Sequence, residues 1–339
     1  MAYTEKYVSV SGGGAHDGSS EANAWTLAEA WAGWAAGDRV NVISGSYTTT
    51  GLSGATVGTG ASMVCVRGYN TTIGDLESQA RNSDTSLNTT NFPQIKCTGT
   101  MIMPQFSILQ NLYITGSIDD ELVNGSTYPA DCAVLSCKIV NSANSTSAGA
   151  LRVEDDSIVA DNDLECLGTS RTYILRADTD NMIYGNRIKG TALSTAFVYT
   201  RTTQVHNNVF LGNGINIGIQ VTSTTSLISL ANNTFYNCGD AIQLPNAASI
   251  ILTFLPNNHI TDSSVWLNNL YSATANRAVI EMYSRTRDNT TPRIGIGDGA
   301  NVGEVTTDTG GPETDYADAP NGDITLIPAA PAIDAGLGM

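Results

Sequence analysis

The chain has 339 residues, a formal net charge of −16 and only four lysines, a balance that argues against nucleic acid or an anionic membrane surface as partner. No stretch is long and apolar enough to span a membrane, and Met1 to Val10 has no apolar signal-peptide region. The chain is therefore expected to stay in the cytosol where it is made, or to leave by a route other than a cleaved signal.

In chain order, residues 3–10 read as a strand and Ser11 to Ala24 as a glycine-rich loop. A short helix follows. Thr26 to Glu29 has the spacing of a capping box, Leu27, Trp31 and Trp34 fall on one face, and Gly37 supplies the stop. Strands are expected at 38–43 and 62–67. Between Asn70 and Asn91 lies a polar segment too long for a tight turn, which should protrude.

From Gln94 a repeat begins. An aliphatic residue, two residues, Asn, one residue and a bulky apolar residue recur at Ile108–Tyr113, Val159–Leu164, Ile183–Ile188, Val205–Phe210, Leu230–Phe235 and Leu255–Ile260, with a degenerate copy at Val134–Ile139. The anchors 111, 137, 162, 186, 208, 233 and 258 are 26, 25, 24, 22, 25 and 25 residues apart, a solenoid period. Each repeat is rich in Val, Ile, Thr and Tyr and carries no helical stripe, so the unit is built of strands and turns.

The fold class this implies is all-β, a parallel β-helix with a capping helix at its N-terminal end, since an open β-helix end leaves backbone groups unpaired. Asn suits the anchor because it tolerates a left-handed bend and its amide can hydrogen-bond along the stack. The partition expected is an N-terminal cap and first turn over 1–50, a β-helix over 51–283 and a loop-rich acidic cap over 284–339, all in one elongated domain. After Arg293 there is no basic residue but eight acids, half the net charge. The six cysteines, Cys65, Cys97, Cys132, Cys137, Cys166 and Cys238, lack metal spacing and are expected as small buried apolar residues, with a Cys132–Cys137 bridge as the alternative.

The N-terminal residues Tyr7-Val8-Ser9-Val10, Trp25-Thr26-Leu27-Ala28-Glu29-Ala30 and Ala36-Gly37-Asp38-Arg39-Val40-Asn41-Val42, with the closing Ala330-Pro331-Ala332-Ile333-Asp334-Ala335-Gly336, resemble the pectate-lyase-like right-handed parallel β-helix superfamily. That resemblance covers nearly the whole chain. It implies the fold and leaves function open, because the superfamily includes polysaccharide lyases, hydrolases, phage tailspikes and non-catalytic virion proteins.

Chemistry is concentrated in a second column. Leu151-Arg152-Val153-Glu154 and Leu175-Arg176-Ala177-Asp178 lie one period apart, so Arg152, Arg176, Val198, Gln220 and Gln243 are expected in one outward stripe and Glu154, Asp178, Thr200 and Thr222 in the next. A polysaccharide enzyme would use such carboxylates for acid–base or nucleophilic work and such arginines to neutralise a uronate. The opposing reading is an ionic ladder on a solvated face, and no flanking His or Tyr cluster accompanies the pair in sequence. Arg187-Ile188-Lys189 matches a fragment seen in polygalacturonase-like hydrolases, but the histidine motif expected before it is absent. His16, His206 and His259 have no ligand-like neighbours, and no cofactor is expected apart from calcium at the acidic Asp298–Asp323 segment, which lacks the spacing of a known loop.

The function expected is that of a non-catalytic bacteriophage virion protein, decorating the head or forming part of a spike or fibre, assembled in the host cytoplasm. Its partners would be two further copies in a homotrimer, other virion proteins and a cell-surface glycan. The alternative is a secreted polysaccharide lyase or glycoside hydrolase with Glu154, Asp178, Arg152 and Arg176 as catalytic residues, and a third reading is a glycan-binding module without turnover.

Overall fold

The structure is a computed structural model. It describes the backbone over 3–326 except 54–57, 78–80, 126–130, 147–148, 169, 191–192, 215, 222–225, 245–250, 257, 262–264, 270–277, 283–284, 288–290, 295–305, 308–315 and 319–322. Side chains are described over most of the stretch up to Gln243, without 125, 170–172, 193–203 and 226–228, and at Asn258 and Ile260.

The chain winds into a parallel β-helix whose coils contribute strands to three parallel ladders. One ladder runs from Thr4–Val8 and Asp38–Ile43 through Val64–Tyr69, Ser107–Gln110, Ala133–Leu135 and Ile158–Ala160 onward. A second passes through Leu52–Ser53, Met101–Met103, Glu121–Gly125 and Gly149–Val153. The third has eleven strands, beginning Ser46–Thr49, Gln94–Cys97, Tyr113–Gly116, Lys138–Asn141, Asp163–Cys166 and Arg187–Gly190. The long strands Ser170–Tyr184 and Leu193–His206 pass from the second ladder into the first within one coil.

Alternation along each strand puts one apolar column per ladder inside. Val40, Val66, Leu109, Val134, Val159, Ile183, Val205 and Leu230 are in register and fully buried. So are Ile95, Ile114, Ile139, Leu164, Ile188, Phe210, Phe235 and Ile260, with the two phenylalanine rings stacked at 4.7 Å. At roughly 1.5–3 kcal/mol for each fully buried aliphatic side chain, these columns dominate the stability of every coil.

The corner between the first and third ladders holds the asparagines. Asn162, Asn186, Asn208, Asn233 and Asn258 are all buried, and the carboxamides of the first four tie their coils to both neighbours. Asn186 Nδ2 donates to Val159 O (2.8 Å) and Asn208 Oδ1 (2.9 Å), while its Oδ1 accepts from the backbone N–H and side-chain amide of Asn162, both at 2.9 Å. The stacked-amide expectation holds, but the left-handed residue is the one before the anchor: Ser136, Asp161, Gly185, Asn207 and Asn232. Asn111, taken from sequence as an anchor, is itself left-handed and pairs in register with Ser136, because Gln110 faces Leu135. Leu112 therefore sits in the anchor column, and the first spacing becomes 25, one less than the sequence alignment has it.

Near the N-terminus the helix spans Leu27–Gly33 with the expected Thr26/Glu29 capping box. Its buried Leu27, Ala30 and Trp31 join the core, and Trp31 Nε1 donates to Ile102 O at 3.2 Å. The outer edge of Thr4–Val8 is met by the glycine-rich segment: Tyr7 N–H donates to Gly18 O, Ser9 N–H to Trp25 O and Trp25 N–H to Tyr7 O. All six cysteines are buried free thiols, so the Cys132–Cys137 bridge is not formed. The segment after Asn70 does not protrude: Leu76, Leu87 and Phe92 are buried, and Arg81 reaches the corners of later coils.

Candidate functional site

The second ladder presents its charges on consecutive coils. Asn124 pairs with Arg152 and Arg152 with Arg176, placing three polar side chains in one outward column at about 4.8 Å per coil. Beyond Arg176 the backbone register runs through Tyr199 to Gln220 and Gln243. This corrects the sequence alignment by one residue: Val198 lies in register with the inward Leu175, and Thr200 with Ala177. Thr222 lies outside the described residues, as does most of the acidic Asp298–Asp323 segment.

Each arginine reaches a carboxylate two residues on in its own strand's path. Arg152 Nη2 is 2.5 Å from Glu154 Oε1, and Arg176 Nη2 is 4.0 Å from Asp178 Oδ2. Glu154 and Asp178 stand on adjacent coils, close enough for the Asp178 carboxylate to act on the Glu154 carboxyl. Burial, then the neighbouring Asp178, push the Glu154 carboxyl up to about 7 against the opposing pull of Arg152. The four residues singled out from sequence are thus brought together.

The structure adds partners that the sequence reading missed. Tyr173 donates its hydroxyl to Glu121 and is also hydrogen-bonded to Arg176. Glu121 is 2 % exposed and receives Asn124 Nδ2 at 3.2 Å. Burial raises the pKa of its carboxyl, reinforced by Asp120. Burial lowers the pKa of Arg176, but Tyr173, Asp178 and Glu154 outweigh it, so the guanidinium stays charged. Tyr173 was discoverable: it precedes the inward Leu175 by two, and Gly149, the corresponding residue one coil earlier, leaves room for its ring, since a Cβ there would meet Tyr173 Cε2 at 2.9 Å.

Glu121, Tyr173, Arg176, Asp178, Glu154 and Arg152 gather carboxyl, hydroxyl and guanidinium groups on neighbouring coils, an arrangement that can bind charge. The site does not fit calcium. A calcium ion takes six to eight oxygens, whereas Glu121 and Glu154 are committed to Tyr173, Asn124 and Arg152, and two guanidinium groups occupy the same face. Among the described residues no cluster of three metal-ligating side chains is found. Of the histidines, His16 contacts Glu29 at 3.0 Å, His206 stacks on Tyr184 with ring centroids 5.2 Å apart, and the side chain of His259 lies outside the described residues.

No family model matches the sequence, and no curated protein matches it. The fold is similar to that of a solved structure titled as pectate lyase Pel9A, with a TM-score of 0.54 over 96 % of this chain and 88 % of that one, at 11 % identity. The chain has a right-handed parallel β-helix fold. At that identity the likeness concerns the fold.

Proposed function

We propose that the chain is a non-catalytic structural protein of a bacteriophage virion, a head decoration protein or a spike or fibre component with glycan contact along its β-helix. The observation that supports the non-catalytic part is the ion pairing of each carboxylate with an arginine of its own coil, Glu154 with Arg152 at 2.5 Å and Asp178 with Arg176 at 4.0 Å. A general acid and a nucleophile must both face a substrate, and here each carboxyl faces a guanidinium. What supports the virion part is the set of six buried thiols, suited to assembly in a reducing cytoplasm, and the acidic, lysine-poor composition. The reading includes a homotrimer closed by symmetry.

A second reading has one observation in its favour. A carboxyl that titrates near 7 is matched to acid–base work at neutral pH, which fits a polysaccharide lyase or hydrolase. Light scattering on the purified protein, run beside a reducing-end and unsaturated-product assay on acidic and neutral polysaccharides, separates the two. A trimer that releases no product supports the virion reading. A monomer whose cleavage is abolished by Glu154→Gln or Asp178→Asn establishes the enzyme.

A further inference from the structure

Where later coils turn from the first ladder to the third with two residues, such as Asp161 and Asn162, the second coil uses 24, residues 70–93 between Val64–Tyr69 and Gln94–Cys97. The root of this insertion is fixed. Asp75 accepts the backbone N–H groups of Asn70, Thr71 and Thr72, and Arg67 Nη1 lies 3.2 Å from Glu77 Oε1. At the returning end Pro93 packs on Gly68, where any Cβ would meet Pro93 Cδ at 2.7 Å and Asn111 O at 2.1 Å.

The far part is fixed too, but to other coils. Arg81 Nη2 donates to Asp161 O (2.6 Å) and Gly185 O (3.2 Å), and Nη1 donates to Thr85 O (2.7 Å). Asp84 lies 3.7 Å from Arg187 Nη2, and Arg187 is itself bound to Asp163 at 3.0 Å, which Lys138 approaches at 3.6 Å. Asp161 and Gly185 follow the strands three and four coils beyond the insertion's own, about 14 and 19 Å along the axis at 4.8 Å per coil.

In a solenoid each coil touches only its neighbours, so the coils nearest an end open most readily. A guanidinium fork on the carbonyls of two distant coils breaks that rule. We propose that the described parts of this insertion, 70–77 and 81–93, act as a longitudinal latch that couples the opening of the Val64–Tyr69 coil to that of the coils at Ile158–Ala160 and Met182–Tyr184. The latch holds under either functional reading, because it depends on corner carbonyls and not on the charged column of the second ladder.

Hydrogen exchange by mass spectrometry on the full chain tests it. In the wild type, amides of 64–69 and 182–184 are expected to open with similar protection. In Arg81→Ala the protection of 64–69 should fall about tenfold or more relative to 182–184. Arg81→Lys keeps the charge but cannot span the three carbonyls and should fall in the same direction, which keeps the test decisive if the alanine variant does not fold. Unchanged protection at 64–69 in these variants, or a loss confined to the neighbours of Asp161 and Gly185, overturns the latch.

Discussion

Replacing Glu154 by Gln tests the proton that burial and the neighbouring Asp178 hold on its carboxyl. In the folded chain the Glu154 carboxyl is pushed up to about 7 from an ordinary 4.5, first by burial and then by Asp178. Below the ordinary value both folded and unfolded chains hold the proton, and the group contributes nothing to pH dependence. Between 4.5 and 7 the unfolded chain has lost it while the folded chain keeps it, so stability falls as pH rises through this window. A shift of two and a half units corresponds to about 3.4 kcal/mol. The side chain is 14 % exposed, and screening at its open side reduces this to about 2 kcal/mol. The variant keeps the shape and a hydrogen-bond donor towards Asp178 but loses the titration, and it gives up an Arg152 ion pair of about 1 kcal/mol. Denaturant midpoints at pH 5 and pH 8 should therefore show a smaller decrease for Glu154→Gln than for the wild type, with the variant at least as stable at pH 8. Parallel pH profiles for the two proteins would refute the raised pKa of Glu154.

The corner offers a paired comparison. Asn186→Ala leaves the Asn162 N–H and the Val159 carbonyl buried without their partner and should cost about 3 kcal/mol in chemical denaturation. Gly185→Ala forces a left-handed alanine whose Cβ would meet Asp161 Oδ1 at 2.3 Å, and should cost at least about 1–2 kcal/mol by the same measurement. Burial pushes the Cys65 thiol up to about 11 and those of Cys97 and Cys137 up to about 12, so a thiol reagent at pH 8 should label none of them until denaturant is added. Tyr173→Phe removes the hydroxyl that satisfies Glu121 and should lower the denaturation midpoint by an amount equivalent to about 1–3 kcal/mol.

How much of this is legible in the chain depends on the range of the interaction concerned. The parallel β-helix could be read from the Asn-anchored period because a solenoid repeats the same local problem in each coil: an apolar column inside, a left-handed bend, then a buried carboxamide. The helix with its capping box was readable for the same reason, since Thr26 and Glu29 meet within one turn. The pairing of Arg152 with Arg176 followed from the period alone, but the slip at Val198 and at Asn111 shows its limit. A coil that gains or loses one residue keeps its composition while its register changes, and only strand pairing fixes which residue faces which.

The raised pKa of Glu154 beside Asp178, the donation from Tyr173 to Glu121 and the reach of Arg81 were decided by tertiary structure. Each depends on which way a side chain turns once neighbouring coils exclude water, and on contacts 24, 52, 80 and 104 residues apart in sequence. Repetition in the sequence determined that the coils stack. The environment that stacking creates, dry on one side and charged on the other, determined what the charges on them do.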